Sequence, residues 1–259
     1  MGKAIKATIS QIYQEERYFH QGEKLKDLLI SKYEDICQSL LAEGIQVKEA
    51  IHLPFAPYIE MLKGYTQKKE NREAKIIYSM ANFKFSVKPF TATYHFAGSI
   101  DQLRQNKDGS LELIAFKSGR RRGHRLYELF LNYELSIYAY ALFQGELSTD
   151  EAGYDWHKPE IIADYLSLYF LQDHYPYRRN GKKRDEGGNL IAFRSGEERG
   201  GAIYRTTRSF ERLKYIPQEI GRICAAIKRN DFFRMPNFLC QNSCSYRNYC
   251  QAGITFSIK

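Results

Sequence analysis

A chain of 259 residues can bury a full core, as one large domain or as one domain with a small appendage. Hydrophobic residues at 43% and aromatics at 14% exclude wholesale disorder. The formal net charge of +9 favours a polyanionic partner, because clustered lysine and arginine release counterions from phosphates; a merely basic soluble protein is the alternative.

In chain order, the opening MGKAIKATISQIYQEER is not a signal peptide, and no apolar run reaches the ~20 residues of a membrane span. The expectation is a cytoplasmic protein with reduced thiols and no membrane partner. Residues 1–80 read mainly as helices: EKLKDLLISKYEDICQSLL and FAPYIEMLKGY both carry apolar side chains at a 3.6-residue period. From about Phe83 the pattern changes to short aromatic and β-branched runs, FKFSVKPF, TATYHFAGSIDQL and LELIAFK. The turn residues Asn106, Asp108 and Gly109 separate the last two. A basic patch, RRRGHR, follows Gly119, and a helix is expected near 125–144. ADYLSLYFLQ reads as a further strand. Residues 173–202 are glycine-rich and charged, as in an exposed hairpin or mobile loop. A last helix, IPQEIGRICAAIKRN, leads into a cysteine-rich end. Helices, a hairpin, a crossover helix and further strands together imply an α/β core with a mixed sheet.

LIAFKSGRRRG at 113–123 and LIAFRSGEERG at 190–200 agree at eight of eleven positions, with no longer period behind them, so a solenoid is excluded. Only the first copy follows an acidic strand and carries chemistry. There, Gly98-Ser99-Ile100-Asp101 is expected to close one strand and Ala115-Phe116-Lys117 the next. Side chains alternate along a strand, so positions 115 and 117 share a face and Glu112 has the wrong parity to join them. Phosphodiester hydrolysis with divalent metals needs hard oxygen ligands and a cation near the attacking water. Asp101 meets the first need and Lys117 the second. At position 115, where a second carboxylate belongs, the residue is alanine. The alternative is an ordinary hairpin with a solvated aspartate and lysine.

GSID followed by LELIAFKSG resembles the G-x-x-D…(D/E)-x-K-[ST]-G signature of the RecB-type nucleases of the PD-(D/E)XK superfamily. The resemblance spans roughly residues 83–252. It implies a restriction-endonuclease-like α/β core with a mixed sheet, N-terminal helices and a C-terminal cysteine-rich tail. The chain then reads as one domain over 1–259, with a helical part at 1–80, a catalytic core at 83–235 and a tail at 236–259. The implied activity is Mg²⁺- or Mn²⁺-dependent hydrolysis of DNA. Asp101 is implied as metal ligand, Lys117 as the residue that positions water and offsets transition-state charge, and the backbone carbonyl of Phe116 as a further ligand. Ala115 departs from the family, either as an engineered substitution that disables cutting or as natural degeneration to a DNA-binding or structural subunit. The intact remainder of the set favours the first. The family's Q-x-x-x-Y motif corresponds to Glu134-Leu-Ser-Ile-Tyr138, whose polar tips share one helix face. Core aromatics are the alternative for the tyrosines. An extra histidine ligand is carried to His52, with His20 as runner-up; either is equally a structural histidine.

Cys240, Cys244 and Cys250 lie within eleven residues, which reads as a metal or cluster site in a reducing compartment. The segment resembles the ending of AddB and of the CRISPR-associated adaptation nucleases. That likeness implies a 4Fe–4S cluster with Cys37 as its fourth ligand. Zinc is the alternative metal, and a buried unligated thiol the alternative for Cys37. Cys224, aligned with Ile220, Ile223 and Ile227, is expected in the core. Arg120, Arg121, Arg122 and Arg125 are the expected phosphate contacts, with Arg178, Arg179, Lys182 and Lys183 a weaker group that reads equally as a solvated face. DNA is the expected partner, with a helicase or other DNA-processing subunit beside it.

Overall fold

In the computed structural model, the residues described are 1–15, 22–45, 47, 55–89, 91–118, 129, 132–150, 155–171 and 202–229. Among them, helices α1 (Gly2–Glu15), α2 (Gly22–Ala42), α3 (Ala56–Gln67) and α4 (Lys69–Glu73) precede strands β1 (Lys75–Val87), β2 (Tyr94–Gln105) and β3 (Leu111–Lys117). Helix α5 (Tyr133–Gln144), strands β4 (Glu146–Ser148), β5 (Tyr165–Phe170) and β6 (Ala202–Thr206), and helix α6 (Phe210–Lys228) complete the set. The six strands form one sheet in the order β4-β1-β2-β3-β5-β6. Only β3 and β5 run parallel; every other neighbouring pair is antiparallel, so the sheet is mixed.

Alternation along β3 and β5 sorts the side chains into two cores. Leu113 and Ala115 of β3, with Leu166, Leu168 and Phe170 of β5, join Leu135 and Leu142 of α5 and Leu213, Ile216 and Ile220 of α6 on one face. Ile114 and Phe116 of β3, with Tyr169 of β5, join Ile5 and Ile9 of α1, Leu29 of α2 and Met61, Leu62 and Tyr65 of α3 on the other. A strand covered on both faces reads as a continuous apolar run, which is what LELIAFK looks like. Ile5, Ile9 and Ile12 of α1 are fully buried, which fastens that helix to the sheet at roughly 2 kcal/mol per side chain.

Several boundaries differ from the sequence reading, each for a local reason. Strand β1 begins at Lys75, inside the stretch read as mainly helical. A register shift between Ile76 and Tyr78 and the left-handed Met80 (φ 53°) break the period-two pattern that would have announced it. Asp101 does not close a strand; β2 runs on to Gln105, and the hairpin turn comes after it. That turn uses the residues expected: Gly109 takes φ 86°, and Asp108 Oδ1 accepts from the Ser110 N–H. Within the stretch expected to be helical near 125–144, α5 spans Tyr133–Gln144: Asn132 is extended and its side chain accepts the Leu135 N–H at 2.9 Å, while 125–128, 130 and 131 lie outside the described residues. Helix α6 starts at Phe210, capped by Ser209, and carries Pro217 in its interior instead of starting beside it. Its buried row, Leu213, Ile216 and Ile220, lies in its first part, with Cys224 packed at the end; Ile223 and Ile227 are exposed, against the expectation that they line the core. The 173–201 stretch and its repeat copy lie outside the described residues.

Candidate active site

The centre forms where β2, β3 and the start of α5 meet. Adjoining strands β2 and β3 pair Gln102 with Ile114 and Leu103 with Leu113. Continuing that register one step sets Asp101 beside Ala115. Ala115 is fully buried in the apolar core of the α5–α6 face. The Asp101 carboxylate is 3% exposed and is held from two directions. The Phe116 backbone N–H donates to Oδ2 at 2.7 Å, and the Lys6 ammonium sits 2.8 Å from Oδ1 and 2.7 Å from Oδ2. Lys117, at the end of β3, pairs with Glu134 in the first turn of α5. The Tyr138 hydroxyl, one helical turn on, reaches the other Glu134 oxygen at 3.5 Å. The helix spacing thus delivers Glu134 and Tyr138 to one place, and the strand spacing delivers Asp101 and Lys117 next to it.

The electrostatics follow from this packing. Burial pushes the Asp101 carboxyl above the ordinary carboxylate range; the charge and hydrogen bond of Lys6 and the Phe116 N–H restrain the rise, and the Glu134 charge adds to it. Burial likewise raises the Tyr138 phenol, helped by the negative charges of Asp101 and Glu134. The tyrosine therefore stays a neutral donor. Asp101 and Glu134 are close enough to feel one another, and each has its own lysine, so the charges of the four groups cancel.

Gly98 of the G-x-x-D segment has a steric task. It pairs with Phe83 of β1, and a Cβ at position 98 would lie 2.9 Å from the Phe83 ring. That ring meets Tyr138 edge-on, with centroids 6.0 Å apart. The glycine lets an aromatic lie across the strand and brace the tyrosine.

Glu112 behaves as its parity predicts. It is fully buried on the α1–α3 face, away from Asp101, and binds Arg104 Nη2 at 2.8 Å and Arg205 Nε at 2.8 Å. Arg104 in turn donates to Asn71 at 2.8 Å. Burial raises the Glu112 carboxyl, but the Arg205 hydrogen bonds, the Arg104 charge and the Ser167 hydroxyl outweigh it and bring the group down to about 2.

The donor set does not fit a divalent metal as it stands. Mg²⁺ asks for one or two carboxylates free to coordinate beside substrate oxygens. Here Asp101 and Glu134 are each engaged by an ammonium, and Ala115 offers nothing. No group of three or more His, Cys, Asp and Glu comes together among the described residues. The other expected ligands and contacts, His52, His20, Arg120, Arg121, Arg122, Arg125, Arg178, Arg179, Lys182, Lys183, Cys240, Cys244 and Cys250, lie outside the described residues. Cys37 is described: it packs against the α1–α3 core on α2, close to Tyr33. Cys224, expected in the core, is half-buried and packs against the edge of the opposite core. Lys6 was missed by the sequence reading. Its only signal is a place beside the apolar row of Ile5, Ile9 and Ile12, which does not reveal a partner 95 residues away.

A mixed sheet layered between helices, with an acid and a lysine on adjoining strands beneath a helix that adds Glu134 and Tyr138, is a nuclease-type architecture. The family model of the PD-(D/E)XK nuclease superfamily matches residues 1–251, and the chain belongs to that superfamily. Its members are typically nucleases, so membership implies contact with nucleic acid. A search of curated proteins gives no match. No helix among the described residues is long and apolar enough to cross a membrane.

Proposed function

We propose that this chain is a DNA nuclease domain of the Mg²⁺- or Mn²⁺-dependent kind, of the RecB/AddB iron–sulfur type, with cutting disabled at position 115. The observation that carries the reading is the placement of Asp101, Ala115 and Lys117 on two adjoining strands under Glu134 and Tyr138. Asp101 is the acid on the metal side. Lys117 supplies positive charge beside the phosphate, Glu134 orients that lysine, and Tyr138 donates from above. The basic residues Arg120, Arg121, Arg122 and Arg125 follow the Lys117 strand directly in sequence, which suits them to track DNA phosphates beside the centre. Cys240, Cys244 and Cys250, with Cys37, are proposed as cluster ligands on their sequence spacing and family likeness alone.

The test is Ala115→Asp. It places a carboxylate two residues before Lys117, on the same strand face as Asp101. With Mg²⁺ or Mn²⁺, the variant is expected to cut plasmid or labelled oligonucleotide where the parent chain does not. Asp101→Ala or Lys117→Ala in that background should abolish cutting. A variant that folds, binds DNA and stays inert would favour the second reading, a naturally inactive DNA-binding or structural subunit. The lysine pairing of both carboxylates is the observation behind that alternative. Efficient cutting by the Ala115 chain itself would overturn the assignment of the centre.

A further inference from the structure

We propose that Lys6 is an internal cation that takes the place of a divalent metal at Asp101 and keeps one out. The inference rests on reading Asp101 as the metal-side acid. Its physical basis is the need of a buried carboxylate for a positive partner. With an acid at both 101 and 115, the strand pair would carry two negative charges and suit a divalent ion. With alanine at 115 it carries one, which a single ammonium balances and a divalent ion would overcompensate.

The geometry matches that charge count. The Lys6 Nζ straddles the carboxylate, 2.8 Å from Oδ1 and 2.7 Å from Oδ2, the oxygen that also accepts from the Phe116 N–H. The ammonium is also tethered. Ala4, Ile5 and Ile9 beside it on α1 are fully buried, and a Cβ on Gly2 would lie 3.2 Å from Ser118 Oγ, so the helix start adjoins the end of β3. A metal ion must therefore displace a group that cannot diffuse away. Its apparent affinity is the intrinsic one multiplied by the fraction of time Lys6 spends off Asp101. The Lys6 side chain is 23% exposed, so it has room to swing toward water when displaced.

The experiment is a titration of the full chain with Mn²⁺ alone, without DNA, following the six-line paramagnetic resonance signal of the free ion. The parent chain is expected to show no Mn²⁺ uptake that depends on Asp101. Lys6→Met should bind Mn²⁺ through Asp101 at least about tenfold more tightly than any residual uptake by the parent chain, since the competing ammonium no longer occupies the carboxylate. The site should vanish in Lys6→Met/Asp101→Asn. Mn²⁺ should raise the melting temperature of Lys6→Met and leave that of the parent chain unchanged. Lys6→Gln, neutral but still able to donate to Asp101, carries the same comparison if the methionine variant does not fold. If neither folds, the parent chain against Asp101→Asn decides it: equal uptake supports the proposal, and uptake lost with Asp101 overturns it. Parent and Lys6→Met taking up Mn²⁺ equally through Asp101, or Lys6→Met taking up none, overturns it too. Because no DNA and no bond cleavage enter, failure of Ala115→Asp to cut leaves this result standing, and the converse holds.

Discussion

At the scale of single residues, the centre depends on small side chains as much as on charged ones. Gly98 admits the Phe83 ring, and that ring braces Tyr138. Gly98→Ala forces the ring to shift by a few tenths of an ångström in a close-packed layer. It is expected to lower stability by about 1–3 kcal/mol in urea denaturation and to loosen Tyr138. Unchanged stability would mean that the ring moves freely and that the glycine has no bracing role. The motif singled out Asp101 and Lys117, and alternation put Lys117 on the face of Ala115; the structure brings both residues beside Glu134. Lys6 was not legible in the sequence, because its contact spans most of the N-terminal half of the molecule and leaves no local period. Glu134 was legible as a position, but its pairing with Lys117 follows from how α5 is aimed, which helix spacing alone does not set.

At the scale of elements, α5 is the part whose placement matters most to the centre. Its start is fixed by Asn132, whose side-chain oxygen accepts the Leu135 N–H, and by Arg208, which donates to Ser136 Oγ at 3.1 Å and to the Leu129 carbonyl at 3.1 Å. Asn132→Ala should lower stability by about 1 kcal/mol. In an Ala115→Asp background it should also lower cutting, since the first turn carries Glu134. Cutting unaffected by a frayed first turn would remove Glu134 from the positioning of Lys117. The amphipathic helices α2 and α3 and the strands β3 and β5 were readable because their apolar patterns were uninterrupted. The start of β1 was hidden by a register shift and a left-handed methionine. The start of α6 was hidden by Pro217, which reads as a helix opening yet sits within one.

At the scale of the whole molecule, the buried polar network on the α1–α3 face ties together elements distant in sequence. Glu112 joins Arg104 and Arg205, Asn71 joins Arg104 and the Tyr169 hydroxyl, and Tyr13 joins Tyr65. With its carboxyl brought from an ordinary 4.5 down to about 2, Glu112 stabilises the fold fully above pH 4.5. That contribution fades as pH falls through 4.5 toward 2. Glu112→Gln should therefore cost about 3–5 kcal/mol at neutral pH, because it strands a buried arginine. Its unfolding free energy should also depend less on pH across that window. A parallel pH profile for parent and variant, measured by urea unfolding, would contradict the assignment. The same long reach has a consequence for biosynthesis. Helix α1 leaves the ribosome well ahead of β3 and β5, yet Ile5 and Ile9 share their core with Phe116 and Tyr169. At ~5–20 residues per second, α2 and α3 reach that helix early, but its sheet-facing side waits roughly 10–30 s for β5 to emerge.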